Sequence, residues 1–232
     1  ALYEGIEWGR WESFPEYMDY IASRRYSLDI GAQIAHGSLR YYVMGERGRM
    51  NEEATPDDLR QMSQLVTEAV QAGALGFSTS RTIGHRALDG SPVPGTFAPD
   101  QELSAIADAM ARAGRGVFEM IPAGTVGKLE RLGGERTTPE AEVELMADFS
   151  RQSGRKVTFT LVQSPDYAPD TWERLLDMVV SANQTGAQLY PQVSSRPIGL
   201  ASGLSGYHAF QRRPTYMKLA HLSLADRARE MA

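Results

Sequence analysis

The chain has 232 residues, 42% hydrophobic and 23% charged, ordinary values for one soluble globular domain. A formal net charge of −5 with no Lys/Arg cluster excludes a nucleic-acid binder, and no apolar run approaches the ~18 residues needed to span a bilayer, so no membrane partner is expected. With no cysteine, disulfides, thiolate nucleophiles and sulfur-held zinc are excluded, any metal must be held by nitrogen and oxygen donors, and a cytoplasmic setting is expected.

In chain order, the first expected elements are a helix from Phe14 to Arg25 and a strand from Tyr26 to Ala35. Thr55-Pro-Asp-Asp then starts a helix whose apolar residues Leu59, Met62, Leu65, Val66, Ala69 and Val70 recur at helical spacing. It stops at Ala72-Gly73, and the apolar run ALGFSTS follows at once. The same helix-stop and strand-start recurs at Gly114, Gly154 and Gly186, and Thr138-Pro-Glu and Pro169-Asp-Thr-Trp open two of the intervening helices.

About five helix-then-strand units in succession imply right-handed crossovers and a parallel sheet. The strands are expected to be apolar on both faces rather than strictly alternating. No G-x-G-x-x-G turn follows a strand, and polar residues gather beyond the strand ends. The fold class expected is therefore α/β, a partial (β/α)8 TIM-type barrel. A whole barrel takes roughly 250 residues and eight strands, so residues 1–232 are expected to be the central part of one, truncated at both ends. Edge strands left open by truncation invite self-association.

The strand ends supply the candidate site residues. His36 and Arg40 follow the first strand, His36 being suited to polarising a carbonyl or holding a metal. Ser78, Ser80 and Arg81 end the second, where a guanidinium fork suits a carboxylate. A long loop with His85 comes next, of the kind that often serves as a lid. Glu119 on the third strand is a candidate general base if it points into the barrel mouth. Gln163 ends the fourth strand, and Tyr190 and Gln192 the fifth, with Arg196 behind. The glutamines are better hydrogen-bond partners than zinc ligands. The chain holds no His-x-His, His-Glu-x-x-His or Gly-x-Ser-x-Gly, so no metal ligand is identified.

Three stretches carry a family resemblance: Trp11-Glu-Ser-Phe-Pro-Glu-Tyr-Met18, Gln33-Ile-Ala-His-Gly-Ser-Leu-Arg40 running into Val43-Met-Gly45, and Gly73-Ala-Leu-Gly-Phe-Ser-Thr-Ser80. Together they resemble the central barrel of the N-acyl-D-amino-acid deacylases of the amidohydrolase superfamily, over about residues 7 to 115. The resemblance implies hydrolysis of an N-acyl amino acid or related amide by zinc-activated water, with His36, Arg40, Ser78 and Ser80 at the rim. The family's His-x-His, its bridging Cys or Lys and its closing Asp lie outside this sequence. Its Ser-His-x-Lys element falls where this chain reads Phe159-Thr-Leu-Val-Gln163, and its Tyr-Pro-Tyr where this chain has Tyr190-Pro191-Gln192. Zinc is thus expected in the intact parent, and neither a cofactor nor catalysis in the 232 residues alone. The alternative is a metal-free or non-catalytic barrel that binds a carboxylate-bearing small molecule.

Overall fold

The computed structural model describes residues 6–87, 89–196, 203–205, 208, 210 and 213–231. The chain forms two compact units, Ala1–Val193 and Ser194–Ala232. In the first, helix α1 (Phe14–Ala22) precedes β1 (Ile34–Ala35), α2 (His36–Met44), α3 (Glu46–Arg49), α4 (Pro56–Gln71) and β2 (Gly76–Ser80). Helix α5 (Asp100–Ala113), β3 (Val117–Ile121), α6 (Pro139–Ser153), β4 (Lys156–Thr160), α7 (Thr171–Gln184) and β5 (Leu189–Gln192) complete it. The second unit holds α8 (Pro214–Met217) and α9 (Leu224–Glu230). There His208 meets the Tyr216 ring edge-on at 4.6 Å, and Arg227 donates to the Tyr216 hydroxyl at 2.8 Å.

All five strands are parallel and pair in chain order, β1-β2-β3-β4-β5. Helices α4, α5, α6 and α7 pack each against the next. Consecutive order with no reversal point is the winding of a barrel, because a doubly wound sheet must switch direction and place helices on both faces. The fold is a partial (β/α)8 barrel.

The punctuation seen in the sequence is what sets the elements. Thr55 and Thr138 cap α4 and α6 through their hydroxyls, and the stop glycines Gly73, Gly114, Gly154 and Gly186 all take positive φ. Two expectations change. The stretch from Tyr26 to Gln33 is not strand, only Ile34 and Ala35 pairing with β2. The strands also alternate in burial: Phe77, Thr79, Phe118, Met120, Val157, Phe159 and Leu189 lie buried beneath the helices, while their neighbours face away. A ladder of rings, Phe77 to Phe118 at 5.2 Å and Phe118 to Phe149 at 5.5 Å, ties β2 and β3 to α6.

Candidate functional site

Parity decides which strand residues can meet a ligand. Register pairs Ala35 with Ser78, Ser78 with Glu119, Glu119 with Thr158 and Thr158 with Tyr190. These residues form one row on the face turned away from the helices. The next row toward the strand C-termini holds Ser80, Ile121, Thr160 and Gln192, and Lys156 lies opposite Val117 in the row below.

Glu119 is half-buried in the middle of this face. Its Oε2 accepts from Gln33 Nε2 at 2.7 Å, and Gln33 Oε1 is buried with no hydrogen-bond partner. The Lys156 ammonium lies 5.5 Å from the Tyr190 ring centroid, and the Thr158 hydroxyl donates to the Tyr190 carbonyl. A carboxylate, an amide, hydroxyls, a phenol and an ammonium thus share one open face. At its rim the Ser80 hydroxyl meets His85 Nδ1 at 2.9 Å.

The structure gathers Ser78, Ser80, Glu119, Tyr190 and Gln192 on this face and places the other candidates elsewhere. His36 and Arg40 are not on a rim loop: helix α2 starts directly at His36, and both side chains are 1 or 2% exposed. His36 Nε2 lies 2.6 Å from Glu102 Oε1, and its Nδ1 lies 2.8 Å from the Thr79 hydroxyl. A carboxylate only accepts, so the hydrogen is assigned to Nε2 and the threonine donates to Nδ1. Arg40 Nη1 reaches both Glu102 oxygens at 2.5 and 2.6 Å, and its Nη2 binds the Glu52 carbonyl. Burial holds the imidazole below its ordinary pKa. Burial pushes Glu102 upward, but the hydrogen bonds from His36 and Arg40 outweigh it and leave the carboxyl below its usual value.

The long loop after β2 explains this burial. Asn51 accepts from Gly95 N–H at 2.8 Å and donates to the Val93 carbonyl, fastening the loop over α2. A side chain at Gly95, whose φ is +93°, would come within 2.6 Å of His36 Nδ1. The loop expected to act as a lid is in this stretch a clamp on the helix side.

Arg81 is likewise engaged. Its Nε lies 2.9 and 3.0 Å from the two oxygens of Glu142, and its Nη1 donates to the Ala98 carbonyl. Burial raises the Glu142 pKa by more than Arg81 and the Ala123 N–H lower it. Gln163 is exposed in the β4–α7 loop, where it donates to the Pro169 carbonyl and borders a small cavity of about 30 Å³ with Phe159, Tyr167 and Trp172. Arg196 falls in the second unit and is exposed. Sequence reading missed Gln33, Lys156 and Thr158, which counting every second residue along each strand would have brought onto the face of Glu119.

A zinc centre needs three or more nitrogen, oxygen or sulfur ligands converging on one point. Among the described residues no three of His, Cys, Asp and Glu come together in a way that could hold a metal ion. Of the described strand residues turned away from the helices, Glu119 alone is a carboxylate. These residues do not fit a zinc centre by themselves.

An arc of a TIM-type barrel with its polar groups on the helix-free face is the class that fold and face define. No protein-family model matches the chain, and no curated protein does. Solved structures do. The N-acyl-D-glutamate deacylase of Bordetella bronchiseptica, complexed with zinc and a phosphonate inhibitor that mimics the reaction's tetrahedral intermediate, superposes with a TM-score of 0.58 at 20% identity. That alignment covers 77% of this chain and 33% of the deacylase. A D-aminoacylase, described as defining a novel subset of amidohydrolases, and a variant of D-aminoacylase in complex with copper chloride each give a TM-score of 0.57 at 17% identity, with the same coverage. The chain spans about a third of the length of these enzymes, and the likeness is one of fold. Among the described residues no helix is long and apolar enough to cross a membrane.

Proposed function

We propose that the chain is the central part of a barrel hydrolase acting on linear amide C–N bonds, with an N-acyl amino acid or related amide as its substrate class. The observation that carries this reading is the shared row of Ser78, Glu119, Thr158 and Tyr190, with Gln33 and Lys156 beside it. The ligand carboxylate is assigned to Lys156, since Arg40 and Arg81 are held by Glu102 and Glu142. Gln33 orients Glu119 through its Nε2 hydrogen bond. Glu119 is the candidate proton acceptor. The fold shared with zinc-bound deacylase makes zinc the expected metal of the whole protein, with ligands beyond those described here.

Calorimetric titration with N-acetyl-D-glutamate tests the reading. Binding that weakens about tenfold or more in Lys156→Met, as expected for losing a charged hydrogen-bond partner, supports it. No heat of binding with a series of N-acetyl amino acids overturns it. The second reading, a barrel that binds a carboxylate-bearing molecule without cleaving it, is favoured by the lack of a three-ligand group among the described residues. Binding without turnover in a longer form of the protein, whatever its metal content, selects that reading.

A further inference from the structure

Two hydroxyl-imidazole pairs occupy successive positions of β2, one on each face of the sheet. Thr79 with His36 is sealed beneath the helices. Ser80 with His85 lies on the open side, its serine half-buried at the strand end and its histidine exposed, with the hydroxyl 2.9 Å from Nδ1. His85 is held at the base of a turn: its N–H donates to the Thr82 carbonyl, its carbonyl accepts from Val93, and Arg86 bridges to Pro92 just beyond. The turn is anchored in its own right, because Glu135 accepts from the Thr82 hydroxyl at 2.6 Å and from Ile83 N–H at 3.2 Å. The imidazole therefore meets the serine from a fastened backbone, within the hydrogen-bond reach that a nucleophile and its base require.

We infer that Ser80 is a nucleophile activated by His85, giving this rim a second activity: acyl transfer from small, unhindered esters to the Ser80 hydroxyl. The Ser80 Oγ forms a bond to the ester carbonyl carbon while His85 Nδ1 takes the hydroxyl proton. The bond to the alcohol oxygen breaks, and His85 returns the proton to the departing alkoxide. Water then attacks the acyl-serine carbonyl as His85 Nδ1 takes one of its protons, the Oγ–carbon bond breaks, and His85 returns that proton to Oγ, releasing acid and free Ser80. Esters are the substrate class because their leaving alkoxide is far less basic than the nitrogen expelled from an amide, and among the described residues no carboxylate is hydrogen-bonded to His85 to support expulsion of nitrogen. The step uses neither Glu119 nor a metal, so it stands or falls apart from the deacylase reading.

A fluorophosphonate probe tests this, since Ser80 would form a bond to phosphorus as the phosphorus-fluorine bond breaks and fluoride leaves. Incubating the 232-residue chain with the probe and mapping peptides by mass spectrometry should place one adduct on Ser80, absent in Ser80→Ala. Labelling should slow about 100-fold in His85→Ala and recover with added imidazole, the size of effect a positioned general base supplies. His85→Gln keeps an acceptor for the hydroxyl, and so the loop, yet cannot carry the proton; it should be as slow as the alanine variant. No adduct at Ser80, adducts spread over surface serines and tyrosines, or His85→Gln labelling at the parent rate would reduce the pair to a loop-anchoring contact only and overturn the inference.

Discussion

Gln33 Nε2 donates a 2.7 Å hydrogen bond to Glu119 Oε2, joining residues 86 positions apart in the chain. Gln33 immediately precedes β1 while Glu119 lies on β3, and β2 lies between those two strands. Strand β2 begins at Gly76, a position with φ of +151° where an added Cβ would lie 1.9 Å from the Val117 carbonyl oxygen. That neighbour is rigid backbone. Gly76→Ala is therefore expected to push β2 off β3 and destabilise the chain by about 3 kcal/mol or more, read from the urea midpoint. Unchanged stability would mean that the two strands are not held as close as this.

Glu102 bonds to both His36 and Arg40 in a site with almost no water access. Glu102→Gln leaves a buried guanidinium without its counter-charge, and breaking such pairs costs about 3–5 kcal/mol. The pH dependence runs one way for both partners. His36 is lowered from 6.5, so the unfolded chain takes up its proton first and stability falls as pH drops below that value. Glu102 is lowered from 4.5, and its contribution, full above that value, is lost as pH falls through its lower folded value. Urea midpoints should therefore decline on acidification from about pH 6.5, and a midpoint flat from pH 7 to 4 would contradict this network.

Most of the architecture was legible in the sequence because its cues are local. Capping threonines, stop glycines and helical spacing each act within a few residues, and they located α4, α6 and the units that follow. The site was legible only in part, because a residue's face depends on strand parity and on what packs behind it. His36 looks like a rim histidine when β1 is taken to end in a loop; a helix beginning at that residue turns it inward, where Glu102 waits 66 positions later in the chain. Such a partner leaves no trace near His36. Ser78, Ser80, Glu119, Tyr190 and Gln192, by contrast, are placed by alternation alone.

Asp58 closes the capping box of α4, accepting from Thr55 N–H and from Arg47 at 2.8 Å. Chiefly through the Arg47 hydrogen bond, its pKa falls from 3.8 to about 2. A lowered acid contributes stability above its unfolded value and loses it as pH falls through the folded one. Asp58→Asn should cost about 1 kcal/mol at pH 7, and the gap between variant and parent should close between pH 3.8 and about 2. Chemical denaturation at pH 7, 4 and 2 measures it, and a gap that persists at the lowest pH would assign the cost to packing instead.

At the last strand of the sheet, Val157 N–H donates to the Gln188 carbonyl and Leu161 N–H to the Gln192 carbonyl. Even-numbered residues of β5 thus bond toward β4, and Pro191 turns its nitrogen, which carries no hydrogen, to the free edge. Among the described residues that side of β5 pairs with no strand, and proline removes one donor from it. Pro191→Thr restores the donor and should shift the chain toward dimers or larger species in sedimentation velocity at raised concentration. An unchanged distribution would show that this edge is protected in some other way.

Arg81 offers the sharpest separation between holding the fold and holding a ligand. Its guanidinium joins the end of β2 to Glu142 on α6 and to the Ala98 carbonyl before α5, so three segments meet at one side chain. Glu142 is nearly inaccessible, and burial already raises its pKa. Because a raised acid binds its proton more tightly in the folded state, this group lowers stability as pH rises above 4.5, the reverse of Glu102. Arg81→Met removes the charge that offsets burial while keeping much of the side-chain volume. It should cost about 3 kcal/mol at pH 7, less at pH 4.5 where Glu142 can stay protonated, and Glu142→Gln added to it should recover part of the loss. A variant as stable as the parent but unable to bind N-acyl amino acids would instead return Arg81 to the ligand.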